Sequence, residues 1–142
     1  MEDFPVAALT KADMYLTAKI ATVIGAPVTG YCFDKDKDAV WFEGTGEMVV
    51  AFQTAGMNTE ANYYIGELEK VLVIKSAINN TAGIPYASNV ATAYGGDLLW
   101  TGSDTNPAIS SGAWYLFSKH RFDPFKSAKT KNISAADKFY TF

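Results

Sequence analysis

The stretch FDKDKDAVWFEGTGEMVVAF, from Phe33 to Phe52, decides the fold that the sequence predicts. Three aspartates alternate near its start, and an almost unbroken apolar run follows them. Asp38 is a typical helix N-cap, so we expect a helix from about Ala39 to Thr54. A helix that is apolar on nearly every side has to be covered on every side. The stretch therefore predicts an inner helix of the domain.

Three further helices are predicted on either side of this one. The segments Thr10–Ile24 and Glu60–Ser76 have one apolar and one polar face, whereas Pro107–Lys119 is apolar around most of its circumference. The segments 29–38 and 79–106 are predicted to be irregular. Amphipathic and apolar helices thus alternate along the chain, which is typical of antiparallel helical hairpins in two layers. We expect an all-α fold, either an α/α toroid or a solenoid.

Glycines interrupt the central apolar helix. Gly44 and Gly46 each cost roughly 1 kcal/mol of helix propensity relative to alanine. We expect another backbone or a ligand to come close to them.

The composition limits the classes of function. The chain has 142 residues, 49% of them hydrophobic, which suffices for one domain with one core. Its net charge of −3 and the lack of a basic cluster argue against binding to nucleic acid or to a membrane surface. Neither a membrane span nor a signal-peptide pattern is present in the sequence, so the localisation stays open. Aromatic residues, at 14%, exceed what a small core needs and indicate a binding surface.

Three motifs occur in a familiar order: DAVWFEGTGEMVVAF, GIPYASN and PAISSGAWYLFSKHRFDPF. They resemble the closing hairpins of bacterial proteins in the six-hairpin, glycosidase-like (α/α)6-toroid superfamily. The resemblance covers about residues 10–125. It implies a partial toroid domain over 1–125, followed by a tail or short helix over 126–142. The function that it implies is carbohydrate processing or binding, with glycosidase-like hydrolysis if the protein is an enzyme. The rival function is that of a non-catalytic helical module that binds other proteins.

Glu43 is the candidate catalytic residue, because a carboxylate in the first turn of an apolar helix can serve acid/base chemistry. The alternative, which we favour, is that Glu43 bonds backbone amides and holds the preceding loop. Glu47 lies one turn later on the same face, but neighbours on one helix rarely straddle a substrate. The predicted substrate-binding residues, which would stack on sugar rings or bond hydroxyls, are Asp38, Trp41, Tyr86, Asn89 and Trp100. Trp41 is equally well explained as a core residue.

The alternating aspartates Asp34, Asp36 and Asp38 match the start of a calcium loop. Ala39 stands where the turn glycine is needed, and Thr45 stands where the bidentate glutamate is needed. We therefore expect a solvated loop without a tight calcium site, although a looser site stays open. No other group suggests a metal or a cofactor. The single cysteine, Cys32, is interpreted as a small buried side chain.

Two outer helices can cover only part of two inner helices. We therefore expect the apolar edges of the inner helices to contact either the rest of a longer polypeptide or a second copy of the chain. Together with a carbohydrate ligand, these are the partners that the sequence predicts.

Overall fold

The computed structural model describes residues 6–75, 81–90 and 103–126. Its elements in chain order are α1 (Val6–Lys11), a 3-10 helix (Ala12–Tyr15), β1 (Leu16–Ala21), β2 (Ala26–Tyr31), α2 (Phe42–Thr54), α3 (Asn58–Lys70), β3 (Val73–Lys75), β4 (Thr81–Gly83) and α4 (Ile109–Lys119). The strands form two antiparallel pairs, β1 with β2 and β3 with β4. The fold is therefore mixed α and β. The prediction of an all-α, two-layer toroid is wrong.

The predicted helix Thr10–Ile24 is replaced mainly by the 3-10 helix and strand β1. β1 pairs with β2 in the register Leu16↔Tyr31 through Ala21↔Ala26. Gly25 closes the turn between them with a φ of 66°, a conformation that other residues avoid. The hairpin forms in place of the helix because β2 supplies hydrogen-bond partners for the backbone of β1 and then packs against the rest of the core. This packing buries Val28 completely.

The central helix α2 forms as predicted but begins at Phe42, three positions later than expected. The residues before it are extended because they pair with other segments. Trp41 donates its backbone N–H to Tyr31 at 2.8 Å and bridges to Ala87, while Val40 accepts one from Ser88 at 2.9 Å. α2 then contacts β2, α3 and α4. Its apolar sides are thus covered from several directions, as its sequence requires.

One glutamate and one threonine side chain join the β1–β2 hairpin to helices α3 and α2. Glu67, on α3, is buried and accepts the backbone N–H of Thr29 at 2.8 Å, while Lys70 donates to its other oxygen at 2.6 Å. Thr45, on α2, accepts the backbone N–H of Tyr31 at 3.0 Å. These bonds satisfy the edge of β2 that β1 leaves open.

The helix α4 is covered on one side only. Ser111 and Ser118 are fully buried, and Ser118 donates its hydroxyl to the carbonyl of Gly46 on α2 at 3.1 Å. The opposite side of α4 faces solvent. The interpretation of α4 as an inner helix is therefore wrong: it is a surface helix with an apolar outer side.

The predicted irregular segment 79–106 contains a strand in its described part. β4 pairs with β3, and for this reason α3 ends at Lys70 and not at Ser76. Trp100, one of the predicted substrate-binding residues, lies outside the described residues. Residues 127–142 lie outside them as well. Within the described ranges, no helix is long and apolar enough to cross a bilayer.

Candidate functional site

Three segments meet at the N-terminal end of α2. Phe42 donates its backbone N–H to Tyr86 at 3.1 Å, Tyr86 donates its own to Asn106 at 2.8 Å, and Ala87 donates to Asp104 at 3.0 Å. The segment around Tyr86 therefore lies between the start of α2 and the segment that leads to α4. This arrangement brings Tyr86 near enough to Glu43 for the charge of Glu43 to act on it.

Trp41 packs against the first turn of its own helix. A Cβ on Gly44 would lie 2.2 Å from Cε3 of the Trp41 indole, so only glycine fits there. The other side of the indole meets the Phe33 ring edge-on, with centroids 4.7 Å apart. The glycine thus accommodates a side chain of the same helix, where we expected a backbone or a ligand.

Glu43, Glu47 and Tyr86 form an acidic group at this end of α2. Desolvation by burial raises the pKa of Tyr86 to about 12; the negative charge of Glu43 adds to this, hydrogen bonding to Trp41 opposes it, and Asp104 adds a smaller rise. The pKa of Glu47 is also raised, first by partial desolvation, although its side chain reaches solvent, and then by the charge of Glu43. Tyr86 consequently keeps its proton to a higher pH than an ordinary tyrosine does.

Glu43 itself forms no hydrogen bond or ion pair with the described residues. The expected contact between Glu43 and backbone amides is therefore not formed in this part of the chain. Since Glu43 and Glu47 project from one face of one helix, they do not flank a space from opposite sides. The pair lacks the geometry of two carboxylates acting on a glycosidic bond.

Asp38 and Asn89 are brought together by the backbone. Asn89 donates its side-chain amide to the carbonyls of Asp38 at 3.0 Å and Val90 at 3.2 Å, and its oxygen accepts the Ser88 hydroxyl at 2.6 Å. The Ser88 hydroxyl in turn accepts the N–H of Val40 at 2.9 Å. The amide of Asn89 thus holds the loop before α2 in place.

A second acidic group lies next to this site. One ligand atom each from Cys32, Asp34, Asp36 and Asp38 lies within 4.8 Å of the other three. The Cys32 thiol is buried and lies 3.7 to 4.0 Å from one oxygen of each carboxylate. Three carboxylates so close together repel one another, and a bound cation would relieve this repulsion.

The sequence alone did not reveal that Cys32 belongs to this group. The available signal was its position two residues before the first of the alternating aspartates. Thr45 lies where a calcium loop needs a glutamate. Its hydroxyl accepts the backbone N–H of Tyr31 and donates to the carbonyl of Trp41 at 2.8 Å. The expectation of no tight calcium site stays a prediction.

The outer face of α4 is the most exposed apolar feature among the described helices. We define this outer face as Ile109, Gly112, Ala113 and Leu116, which helical spacing places on one side. Ile109 is 94% exposed and Leu116 is 53% exposed. The aromatic rings of Trp114, Phe117, Phe122 and Phe125 form a separate cluster at the C-terminal end of α4. Their centroids are 5.5 Å apart for Trp114–Phe117 and Phe117–Phe122, and 5.8 Å apart for Trp114–Phe125.

Ser111 on α4 and His120 directly after it are polar residues that lie apart from the groups described above. Ser111 is fully buried toward the core, and its hydroxyl has no partner among the described residues. His120 caps the helix end, where its backbone N–H bonds Leu116 at 3.0 Å. Neither residue lies beside a second catalytic group in the described part of the chain.

Comparison of the chain with protein-family models, with curated proteins and with solved structures finds no significant match. The resemblance to the glycosidase-like superfamily is neither supported nor refuted by these comparisons. The site described above therefore has to be interpreted from its own geometry.

Proposed function

We propose that this protein is a non-catalytic interaction module whose outer face on α4 binds a second copy of the chain. The observation that carries the proposal is the exposure of two large apolar side chains on that face, Ile109 and Leu116. Soluble proteins seldom leave contiguous apolar surface of this kind uncovered unless it serves an interaction.

The shape of the outer face supports a second copy as the partner. Two small residues, Gly112 and Ala113, lie between Ile109 and Leu116. In an antiparallel pair of α4 helices, the large residues of each copy would pack over the small residues of the other. A twofold interface needs this self-complementarity, because the same patch is used on both subunits.

Gly112 gives a second reason. A Cβ at Gly112 would meet nothing within 4 Å, so no described contact explains why this helix position is not alanine. Glycine there costs about 1 kcal/mol of helix propensity. Close approach of another helix gives a reason for it, as Trp114 does for Gly46. Gly66 on α3 also meets nothing, but the neighbouring helix positions do not form an apolar face like that of α4.

The glycosidase hypothesis was inferred together with the toroid fold, and our proposal does not rest on it. The toroid fold from which that function was inferred is absent from the described part of the chain, and Glu43 and Glu47 share one helix face. The side-chain amide of Asn89 already donates to the carbonyl of Asp38 in the loop before α2. We therefore do not propose carbohydrate hydrolysis for this chain.

Sedimentation velocity tests the proposal with two matched variants. Ile109→Lys places a charge on the outer face, and we expect it to weaken self-association at least tenfold without unfolding the chain, because the side chain is almost fully exposed. Ile74→Lys is the control: Ile74 is also an exposed isoleucine, at 68%, but it lies on β3. This control should associate as the unmodified chain does.

Two outcomes of the sedimentation experiment would contradict the proposal. If the unmodified chain sediments as a monomer up to about 100 µM, a concentration at which even a Kd of tens of µM would be seen, the proposal is wrong. It is equally wrong if both lysine variants weaken association to the same extent, since the effect would then not belong to α4.

A further inference from the structure

We propose that the chain also binds a small organic carboxylate in a pocket between the C-terminal half of α2 and the turn after α4. The pocket has a volume of about 350 Å³. Its lining residues are Val50, Gln53, Thr54, Arg121, Phe122, Asp123 and Lys126. This inference is independent of self-association through the outer face of α4.

The charges in the pocket favour an anion. The ion pairs among the described residues are Lys70 with Glu67 and Lys119 with Glu69, so neither cation of the pocket forms an ion pair with a described carboxylate. Among the described residues, the Arg121 guanidinium donates only to the neutral side-chain oxygen of Asn58, at 2.6 Å. Lys126 lines the same pocket.

The pocket's own carboxylate is already engaged. One oxygen of Asp123 accepts the backbone N–H of Phe125 at 2.9 Å, and the other accepts the Thr54 hydroxyl at 3.4 Å. Asp123 therefore holds the turn after α4 but keeps its negative charge. With Arg121 and Lys126 it leaves the pocket lining one net positive charge, which favours an incoming carboxylate. A guanidinium group suits this task because it can bind both carboxylate oxygens at once.

The backbone of Arg121 is the unusual feature. Its φ is 52°, in the left-handed region, at the position after α4 where glycine is the usual residue. This helix end has the hydrogen bonds of a Schellman motif, in which glycine is usual. Arg121 donates its backbone N–H to Ser118 at 3.3 Å, and Phe122 donates its own to Phe117 at 2.9 Å. Arginine there costs stability. Strain of this kind is often retained where the side chain has a function.

The remaining walls indicate the body of the ligand. Val50 is buried, and the Phe122 ring is 53% exposed. A ligand with an apolar or aromatic body could lie against Phe122 while its carboxylate meets the cations. The volume is near the lower end of the range for small-molecule pockets, so the ligand has to be small.

Phenylacetate and 2-phenylethanol are suitable probes, because they share an aromatic body and differ in the carboxylate. We expect titration followed by NMR chemical shifts to show that phenylacetate perturbs pocket amides, with at least tenfold weaker binding of the alcohol. Arg121→Gly removes the cation and also relieves the left-handed strain. It should therefore bind phenylacetate at least tenfold more weakly while its melting temperature stays equal or rises.

The opposite movement of binding and stability separates loss of a binding group from damage to the fold. Lys126→Gln should also weaken binding, whereas Lys119→Gln, outside the pocket, should not. Ile109→Lys should bind phenylacetate normally even if it no longer self-associates. Equal binding of the two probes, or unchanged binding by Arg121→Gly, would overturn the proposal.

Discussion

At the scale of single residues, the charge of Glu43 acts on Tyr86 across two segments that are far apart in sequence. Burial is the main reason that the Tyr86 pKa is raised to about 12 from its usual 10.0, and Glu43 is the next. The folded state therefore holds the tyrosine proton more tightly than the unfolded chain does. This contribution to stability is complete below pH 10 and is lost as the pH rises from 10 to about 12.

Glu43→Gln should lower the pKa of Tyr86, because it removes one of the charges that disfavour the phenolate. The titration can be followed by NMR of a ring-labelled Tyr86. Since Glu43 accepts no hydrogen bond from the described residues, we expect the substitution to change the free energy of unfolding by less than about 1 kcal/mol. Glu47→Gln is the control, because the charges that raise the Tyr86 pKa are those of Glu43 and Asp104. An unchanged Tyr86 titration in Glu43→Gln would contradict this account.

At the scale of elements, helices α2 and α4 approach closely at a glycine. A Cβ on Gly46 would lie 2.8 Å from Cβ of Trp114 and 3.2 Å from its carbonyl carbon. The expectation that a backbone comes close to this glycine is thus confirmed. Gln53 strengthens the same contact by donating its amide to the Ser118 carbonyl at 2.7 Å.

Gly46→Ala should destabilise the fold by about 1 to 3 kcal/mol, because the backbone of α4 has to move away from α2. Gly112→Ala should instead stabilise the isolated chain by up to about 1 kcal/mol, since nothing is near it and alanine is the better helix former. Urea unfolding in the Ile109→Lys background would measure both changes without interference from self-association. Equal effects at the two glycines would refute the close crossing of α2 and α4.

At the scale of the whole molecule, the exposed outer face of α4 makes stability depend on concentration. The core is formed around α2 by β2, α3 and α4, so the outer face adds nothing to the folding of a single copy. If two copies pair through it, pairing stabilises only the folded chain. Folding and association are then linked by mass action.

The melting temperature of the unmodified chain should therefore rise with protein concentration, by a few degrees between about 1 and 100 µM for a micromolar dimer. The Ile109→Lys variant should show no such dependence. Scanning calorimetry or circular dichroism at several concentrations gives the measurement. A melting temperature that does not change with concentration for the unmodified chain would speak against pairing through α4.

The apolar periodicity of the sequence was enough to predict three of the helices. α2, α3 and α4 all overlap the segments expected for them; the C-terminal ends of α2 and α4 coincide with the prediction, and the other ends differ by two to six residues. Periodicity within one segment is a local property, and a helix makes its backbone hydrogen bonds locally. The apolar character of most of α4 was also evident, although on the side of Ile109 and Leu116 it reflects an uncovered outer face and not burial.

The strands and the grouping of the site residues depended on tertiary structure. β1 could form only against β2, and Trp41 became extended only because Tyr31 and Ala87 were beside it. In the same way, Tyr86 meets Glu43 through pairing across more than forty residues of chain. Strand pairing and long-range electrostatics join residues that are distant in sequence, so no local pattern specifies which partner each one finds.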